Sequence, residues 1–542
     1  MRTFMALWRS AGRARALSGA SGRRRAPATM ASMTTLRRAL SACLLTGLPL
    51  AAQDEQKAEA AATPAPAAAP APAPVDRTSV TLHTVAIAGA EVPYEATAGT
   101  LVLRTEEGAA KAEIFYVAYV RTDVLDRGAR PIMFCFNGGP GSSSVWLHLG
   151  VYGPKRVHMT DDGFAPPPPY QIVPNDQSLL DLADLVFIDP VTTGYSRPAQ
   201  GEDPAQFHGL QEDAEWVGEF IRLYTTRHER WDSPKFLSGE SYGTTRAARL
   251  AALLQEKHGL YLNGIVLVSA ILNFQTARFD RGNDLPYILF LPTYAATAWY
   301  HRRLAPELQA DLGRTLAEVE DFALGEYALA LHRGDALPSD EAKRIAAKVA
   351  RYTGLAPDYV ERTNLRVEIQ RFCKELRRDE ARTVGRLDSR FTGKDFDSAG
   401  EENEFDPSYA AIQGPFTAMQ NHYLRSELGF ESDLPYEILT GRVHPWSYGE
   451  AENRYVNVAE DLRSAMSRNT ALRVFVANGY YDLATPYFAT RYTFDHLGLD
   501  PALRGNVTMG HYEAGHMMYI HQPSLVRFRN DVAGFLREAL AQ

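Results

Sequence analysis

The sequence predicts an α/β protein, with a mainly parallel central sheet flanked by helices and a largely helical insertion. Continuous apolar runs, typical of strands buried on both faces, lie at 132–136, 185–188, 264–268 and 474–476. Between them, residues 210–224 and 247–254 place their apolar side chains on one helical face, and this alternation indicates a sheet covered by helices. From 276 to 465 the pattern changes to helical segments separated by charged, irregular stretches. We interpret that segment as a cap over a pocket.

Before the first buried run, the chain predicts antiparallel hairpins. Short runs of alternating apolar and polar residues lie at 92–96, 100–104 and 112–120. Ala/Gly and Glu-Glu-Gly turns separate them, as expected for hairpins. We therefore assign 77–275 and 466–542 to the sheet domain and 276–465 to the insertion.

The N-terminus has the pattern of a targeting segment. From Met33 a basic stub, about a dozen apolar residues and small residues follow one another, so we predict a signal peptide within 1–52. The arginine-rich stretch before Met33 is either a misplaced start or a longer basic region, and we favour the former. The sequence around Cys43 resembles a lipoprotein box, but almost no apolar segment precedes it, which favours a periplasmic or extracellular protein without a lipid anchor. Residues 53–76 form an Ala/Pro-rich linker.

Charge and composition exclude several function classes. The 542 residues are 45% hydrophobic and 23% charged, which excludes general disorder. The net charge is −8, but 1–52 contain nine arginines and no acid, so the remainder carries −17 and should repel nucleic acid and anionic lipid. The apolar stretch in 1–52 is too short for stable membrane insertion. The length allows one large domain with an insertion, and the oligomeric state stays open.

The cysteines predict neither a disulfide framework nor a metal site. Apart from Cys43, only Cys135 and Cys373 are present, and they have no metal-ligand spacing. We favour two buried thiols over one disulfide. We expect no metal and no cofactor.

The clearest local motif is Gly239-Glu240-Ser241-Tyr242-Gly243. It follows a short predicted strand at 235–238 and precedes a helix that starts near residue 244. A serine in Gly-x-Ser-x-Gly at such a turn is a nucleophile elbow, where the glycines permit the strained turn and the helix N-terminus faces developing negative charge. The alternative is a tight turn with an incidental serine. We predict that Ser241 is the nucleophile.

A serine nucleophile needs a base and an orienting carboxylate. Asp482 follows the apolar run at 473–477, and His511 and His516 follow the next one, so all lie after strands at the edge where Ser241 would lie. We favour His516 as the base because Ala-Gly before it permits close approach. His511 fits a supporting position, and His521 is the remaining alternative.

A glycine-rich loop supplies the third part of the site. It reads Asn137-Gly138-Gly139-Pro140-Gly141-Ser142-Ser143-Ser144 and directly follows the run at 132–136. Such a loop offers one backbone N–H to an oxyanion hole, and the residue after the nucleophile offers the other, which pairs Gly139 with Tyr242. A phosphate-binding loop is the competing interpretation, but no lysine follows the glycines.

These motifs, together with Leu185-Val-Phe-Ile-Asp-Pro-Val-Thr-Thr-Gly-Tyr-Ser and Ala-Gly-His-Met, resemble the serine carboxypeptidase family over about 80–275 and 465–540. The resemblance implies an α/β-hydrolase fold and hydrolysis of C-terminal peptide bonds through an acyl-enzyme. It also implies that Ser241, Asp482 and His516 form the catalytic triad. Asn137, Gly138 and Glu240 would bind the terminal carboxylate of a peptide substrate.

The sequence departs from the family pattern at three points. Cys135 stands where the family usually has Trp, and the family's several disulfides are missing. Val151 stands where the family usually has a second Glu that shares a proton with the residue matching Glu240. We therefore expect Glu240 to depend on burial alone to keep a proton. These departures leave the triad untouched but bear on recognition of a free carboxylate.

The leading interpretation is a secreted serine carboxypeptidase. Two alternatives remain from the residues. One keeps the triad but changes the substrate, giving an esterase, an acyltransferase or another peptidase. The other is a non-catalytic binding module on the same fold, against which the presence of all three triad residue types argues.

Overall fold

The computed structural model describes residues 74–541. The predicted signal peptide, Cys43 and the linker up to residue 73 lie outside this range. The strands, numbered in chain order, are β1 Arg77–Ile87, β2 Ala90–Arg104, β3 Ala110–Arg121, β4 Ile132–Phe136, β5 Lys155–Val157, β6 Ile172–Pro174, β7 Asp184–Ile188, β8 Arg197–Pro198, β9 Lys235–Glu240, β10 Gly264–Val268, β11 Thr383–Val384, β12 Thr392–Gly393, β13 Arg473–Gly479 and β14 Val507–Tyr512.

The main sheet has the strand order β1-β2-β3-β7-β4-β9-β10-β13-β14, with β8 paired to β3. The first three strands are antiparallel, as the hairpin pattern predicts, and β3 also runs antiparallel to β7. From β7 to β14 every neighbouring pair is parallel. The predicted mainly parallel sheet is therefore confirmed, and the loops at the carboxyl ends of its parallel strands share one edge.

Helices cover both faces of the sheet. In chain order they are α1 Val145–Leu147, α2 Leu210–Arg227, α3 Tyr242–His258, α4 Leu285–Tyr300, α5 Pro306–Gln309, α6 Leu312–Phe322, α7 Ala328–Arg333, α8 Ser339–Thr353, α9 Pro357–Arg362, α10 Ile369–Glu375, α11 Pro407–His422, α12 Ala459–Arg468, α13 Tyr487–Asp495 and α14 Gln522–Leu540. Helices α2, α3 and α12 bury their apolar sides against one face of the sheet. Helices α11 and α14 contribute to the core on the other face. Within 74–541 no helix is long and apolar enough to cross a membrane.

The segment 276–465 packs in three different ways. Helices α4 to α10 form their own apolar cluster, which also takes in residues 481–489 from the loop after β13 and helix α13. Residues 412–438 instead join the core under the sheet, and α12 packs on α3 beside the opposite face. The segment therefore contacts the sheet domain along much of its length.

Two local expectations were wrong. Ala98-Gly99, which the alternation marks as a turn, lies inside the unbroken strand β2. The glycine is required there by close approach, because an added Cβ would lie 2.6 Å from the carbonyl oxygen of Arg77 on β1. The sequence also predicts one continuous helical segment over 308–322, where apolar residues share a single helical stripe. The structure divides this stripe between α5 and α6, since Asp311 caps α6 by accepting a hydrogen bond from the amide of Arg314 at 2.9 Å.

Candidate active site

Ser241 lies at the turn between β9 and α3. Its backbone has φ 59° and ψ −128°, a conformation that non-glycine residues rarely adopt. The turn is held on both sides: the amide of Ser241 donates to the carbonyl of Val268 at 3.0 Å, and Thr244 donates to the carbonyl of Ser241 through its amide and its hydroxyl, at 2.8 and 2.7 Å. The sequence motif thus produces a strained strand-to-helix turn, the geometry that the nucleophile-elbow motif predicts.

The glycines on either side of Ser241 let the helix approach the sheet. A Cβ added at Gly239 would lie 2.2 Å from the carbonyl oxygen of Gly243. A Cβ added at Gly243 would lie 2.8 Å from the carbonyl oxygen of Phe136 on β4. Any side chain at these two positions would push α3 away from the sheet and move the turn.

Asp482 and His516 meet in the loops that follow β13 and β14. His516 Nδ1 lies 2.8 Å from Asp482 Oδ2, and because a carboxylate only accepts, the imidazole donates. The other carboxylate oxygen, Oδ1, accepts from the amides of Ala484 and Thr485 at 2.8 and 3.0 Å, while the Thr485 hydroxyl donates to Oδ2 at 2.7 Å. Asp482 is fully buried. The pair therefore fixes the imidazole with Nε2 as its free acceptor.

The backbone of His516 is anchored to two other parts of the chain. Its amide donates to the carbonyl of Leu387 at 2.7 Å, and its carbonyl accepts from the hydroxyl of Ser269 at 2.7 Å. Burial lowers the pKa of His516, but the carboxylates of Asp482 and Glu240 outweigh it, so the pKa is raised above its usual 6.5. The imidazole is thus held ready to accept a proton.

No hydrogen bond joins Ser241 Oγ to His516 within the described residues. Catalytic hydrogen bonds often form only when substrate is bound, so the missing bond is compatible with His516 acting on Ser241. The residue before the serine, Glu240, is close enough to His516 for each to shift the other's pKa.

The two alternative histidines have partners other than Asp482. His511 stacks on Tyr480 with ring centroids 5.6 Å apart. His521 Nδ1 contacts the hydroxyl of Ser524 at 2.8 Å at the start of α14.

The glycine-rich loop lies against the start of α3. A Cβ on Gly138 would lie 2.3 Å from the amide nitrogen of Tyr242, so this glycine lets the loop touch the helix N-terminus. Gly139 has φ 103°, which favours glycine. Within the described chain, the amides of Gly139 and Tyr242 donate to no other group. The loop that holds Gly139 therefore meets the helix N-terminus at Tyr242, and both predicted oxyanion donors have amides without a partner in the described chain.

Glu240 is buried beside this loop, and its pKa is raised by burial and, to a smaller extent, by the carboxylate of Asp482. Burial is the main cause that raises its pKa to about 7, while His516, Tyr519 and Asn137 act in the opposite direction. The hydroxyl of Tyr519 donates to Glu240 Oε2 at 2.5 Å. Burial is thus the main reason that Glu240 keeps a proton, in line with the expectation from Val151, although Asp482 also raises the pKa. The contact with Tyr519, which the sequence did not predict, favours the ionised carboxyl instead.

Asn137 has one satisfied and one unsatisfied side-chain group. Its Oδ1 accepts from the amide of Leu147 at 3.1 Å. Its Nδ2 is buried near Glu240, where it stabilises the ionised carboxyl, yet it makes no hydrogen bond of normal geometry. A buried donor without a partner is costly unless a ligand satisfies it.

Sequence reasoning missed three contributors to the site. Thr485, Tyr519 and Leu387 contact Asp482, Glu240 and His516, respectively. Thr485 follows Asp482 in the same loop and could have been suspected from that spacing. The other two are distant in sequence from the residues they contact, and no local pattern marks them.

The described part of the chain has neither a disulfide nor a cluster of metal-ligating side chains. Cys135 and Cys373 are both free and buried, as expected, and burial raises the pKa of each thiol. Across the described residues, no group of three or more His, Cys, Asp or Glu side chains is arranged to hold a metal ion.

Comparison with known proteins places this arrangement in a family. A family model described as serine carboxypeptidase matches residues 89–517. Pheromone-processing carboxypeptidase KEX1 from Yarrowia lipolytica is 31% identical over 137 residues, or 24% of this chain, and its namesake from Saccharomyces cerevisiae is 31% identical over 157 residues, or 27%. Each match spans only 20% of the relative's length.

A solved structure supports the same assignment at the level of fold. The crystal structure of KEX1(delta)p, a prohormone-processing carboxypeptidase from Saccharomyces cerevisiae, has a TM-score of 0.52 and 17% sequence identity, and the match covers 82% of this chain and 92% of that one. At this identity the likeness concerns the fold alone, and it confirms the predicted α/β-hydrolase fold. Because the family model spans most of the chain, this protein belongs to the serine carboxypeptidase family.

Proposed function

We propose that this protein is an exported serine carboxypeptidase that removes C-terminal residues from peptides through an acyl-enzyme on Ser241. The observation that carries the proposal is the buried pair of His516 and Asp482, 2.8 Å apart, at the sheet edge where Ser241 occupies its strained turn. This is the arrangement that acyl-transfer enzymes need, since the serine requires a base and the base requires an orienting acid.

Each residue has a defined role in the proposed reaction. His516 Nε2 takes the proton from Ser241 Oγ as that oxygen attacks the scissile carbonyl carbon. The amides of Gly139 and Tyr242 stabilise the resulting oxyanion. His516 then gives the proton to the leaving amine, and the C–N bond breaks. Water, deprotonated by the same imidazole, hydrolyses the acyl-enzyme and frees Ser241.

Preference for the C-terminus would come from Asn137, Gly138 and Glu240. The unpartnered Nδ2 of Asn137 supplies a buried donor for a carboxylate. The absence of a side chain at Gly138 keeps the loop against α3. Glu240, with a pKa of about 7, carries a proton in mildly acidic solution and could then donate it to the substrate's terminal carboxylate instead of repelling it.

A fluorophosphonate probe tests the nucleophile. The wild-type protein should be labelled at Ser241, and Ser241→Ala should lose labelling and turnover while remaining folded. Ser467→Ala, at an exposed serine on α12, is the matched control and should behave as wild type. Equal labelling of wild type and Ser241→Ala would contradict the proposal, and no labelling of wild type would favour the binding module.

A substrate panel tests the reaction. N-blocked dipeptides with free C-termini should be hydrolysed faster than their amidated counterparts at pH 5, by tenfold or more, because one charge-assisted hydrogen bond is worth about 1.5 kcal/mol or more. Equal rates on both, or hydrolysis of simple esters alone, would favour the esterase or acyltransferase alternative.

Export is tested separately from catalysis. The proposal expects the mature protein outside the cytoplasm with the residues up to about 52 removed. Cell fractionation and N-terminal sequencing of the isolated protein measure both. Recovery of the uncleaved chain from the cytoplasm would contradict this part alone.

A further inference from the structure

The contact between Tyr519 and Glu240 joins the end of the chain to the residue before the nucleophile. Tyr519 lies in the short 3₁₀ turn Met518–Ile520 between the loop of His516 and α14. It is buried, and its hydroxyl donates to Glu240 Oε2 at 2.5 Å. The other oxygen, Oε1, accepts no hydrogen bond of normal geometry within the described residues. The two oxygens of Glu240 are therefore not equivalent.

The space for this tyrosine ring is created by Gly150. A Cβ at Gly150 would lie 2.4 Å from Tyr519 Cε2 and 2.9 Å from Cδ2. These ring atoms cannot move aside as the end of a flexible side chain would. The neighbouring Val151, at the position where the sequence departs from the family pattern, is buried and apolar and offers Glu240 no proton. Gly150 and Val151 thus fit a site in which the tyrosine contacts Glu240.

We propose that Tyr519 is a positioning residue for the substrate's terminal carboxylate: by donating to Glu240 Oε2, it leaves Oε1 as the oxygen that carries the proton to the substrate. A neutral carboxyl has one O–H, and Oε2 is already engaged as an acceptor. The proton therefore resides on Oε1, from which it can be donated to a carboxylate that also accepts from Asn137 Nδ2. This inference rests on the proposed function and deepens it.

All charged and titratable groups that face Glu240 affect this arrangement. His516 and Asp482 face it from the loops after β14 and β13, with opposite effects on its pKa. Tyr519 and Tyr152 lie beside it, and burial keeps the pKa of both phenols well above 10, so neither loses its proton in the neutral range. Glu240, with a pKa of about 7, thus changes charge near neutral pH, and it faces His516, whose pKa is raised above its usual value.

The test compares Tyr519→Phe with wild type on a matched pair of N-blocked dipeptides, one with a free and one with an amidated C-terminus. The measured quantity is the acid-to-amide ratio of kcat/KM between pH 5 and 9. In wild type the ratio should fall as pH rises through about 7. We call the pH at which this ratio has fallen halfway the midpoint. Because the Tyr519 hydrogen bond favours the ionised carboxyl, its loss should move the midpoint upward by about one pH unit. The ratio at pH 5 should fall several-fold because Oε1 is no longer oriented.

Two further variants keep the inference testable. Gly150→Ala displaces the tyrosine ring without removing its hydroxyl, and should shift the midpoint in the same direction. Tyr152→Phe is the matched control: Tyr152 is also buried near Glu240, but its hydroxyl accepts from Ser238 at 3.1 Å, so the midpoint should stay in place. If Tyr519→Phe does not fold, Gly150→Ala supplies the result.

The outcomes separate this inference from the proposed function. A midpoint in Tyr519→Phe and Gly150→Ala equal to that of wild type would overturn the inference, as would equal losses on acid and amide substrates with no shift. Failure of wild type to prefer the free acid at any pH would instead overturn the proposed recognition of the C-terminus.

Discussion

Glu240→Gln should make the protein more stable at neutral and alkaline pH, because it removes a buried carboxyl that ionises there. The folded state holds the pKa of Glu240 at about 7 instead of 4.5, mainly through burial. Between these values the unfolded chain has already released the proton that the folded chain retains. The contribution of Glu240 to the free energy of unfolding therefore falls as pH rises from about 4.5 to 7, and the full penalty is present above that range.

The size of the effect follows from the same pKa. Each pKa unit corresponds to about 1.4 kcal/mol, so a rise from 4.5 to about 7 corresponds to about 3 kcal/mol. Glutamine cannot ionise and retains an oxygen that accepts from Tyr519. The difference in free energy of unfolding, variant minus wild type, should thus grow by about 3 kcal/mol between pH 4 and pH 8.

Urea unfolding at pH 4, 6 and 8 measures this difference through the midpoint and slope of each transition. Glu513→Gln serves as control, because Glu513 lies in the loop before His516 but is exposed to solvent. Its difference from wild type should not depend on pH. A constant difference for Glu240→Gln, or one that decreases with pH, would refute the reasoning that burial controls this carboxyl.

Three other predictions concern the base, the core and the charge near the site. His516→Ala should lower kcat by at least about a thousandfold, whereas His511→Ala should retain most turnover; the reverse would identify His511 as the base. Asp184→Asn leaves two buried arginines without their carboxylate and should lower the free energy of unfolding by about 3–5 kcal/mol. Asp358→Asn, in an exposed ion pair, should change it by less than about 1 kcal/mol, and equal losses for the two variants in a denaturant titration would contradict this. Arg386 opposes protonation of His516, so Arg386→Gln should move the acidic limb of kcat/KM for an amide substrate to higher pH, and an unmoved limb would count against this role.

Local patterns in the sequence predicted the parts of the site that are built locally. Gly239 and Gly243 flank Ser241 within five residues because the turn itself requires them. The continuous apolar runs predicted the parallel strands for a similar reason, since burial on both faces removes the alternation. Gly99 shows the limit of such patterns, because the backbone that excludes a side chain there comes from another strand.

The contacts that complete the site depend on the tertiary fold. Tyr519 is 279 residues from Glu240, and its hydroxyl could have been paired with many groups. Val151 indicated that the second acid was missing, but it carried no information about which residue contacts Glu240. Leu387 contributes only its backbone carbonyl to His516, and because every residue type has this group, the sequence could not indicate the contact.

The bond from His516 to Leu387 has a consequence for recombination between family members. Residues 386–389 lie within the segment predicted as an insertion, yet their backbone also bonds to the loop of Asp482, through Leu483 to Arg386 at 3.1 Å and Ser389 to Tyr481 at 3.0 Å. Asp388 further accepts from the amide of Gly515 at 3.1 Å. A chimera that exchanged this segment would therefore exchange backbone groups that hold His516, the proposed base, in place. Grafting a new specificity onto this enzyme requires that 386–389 be left with the host.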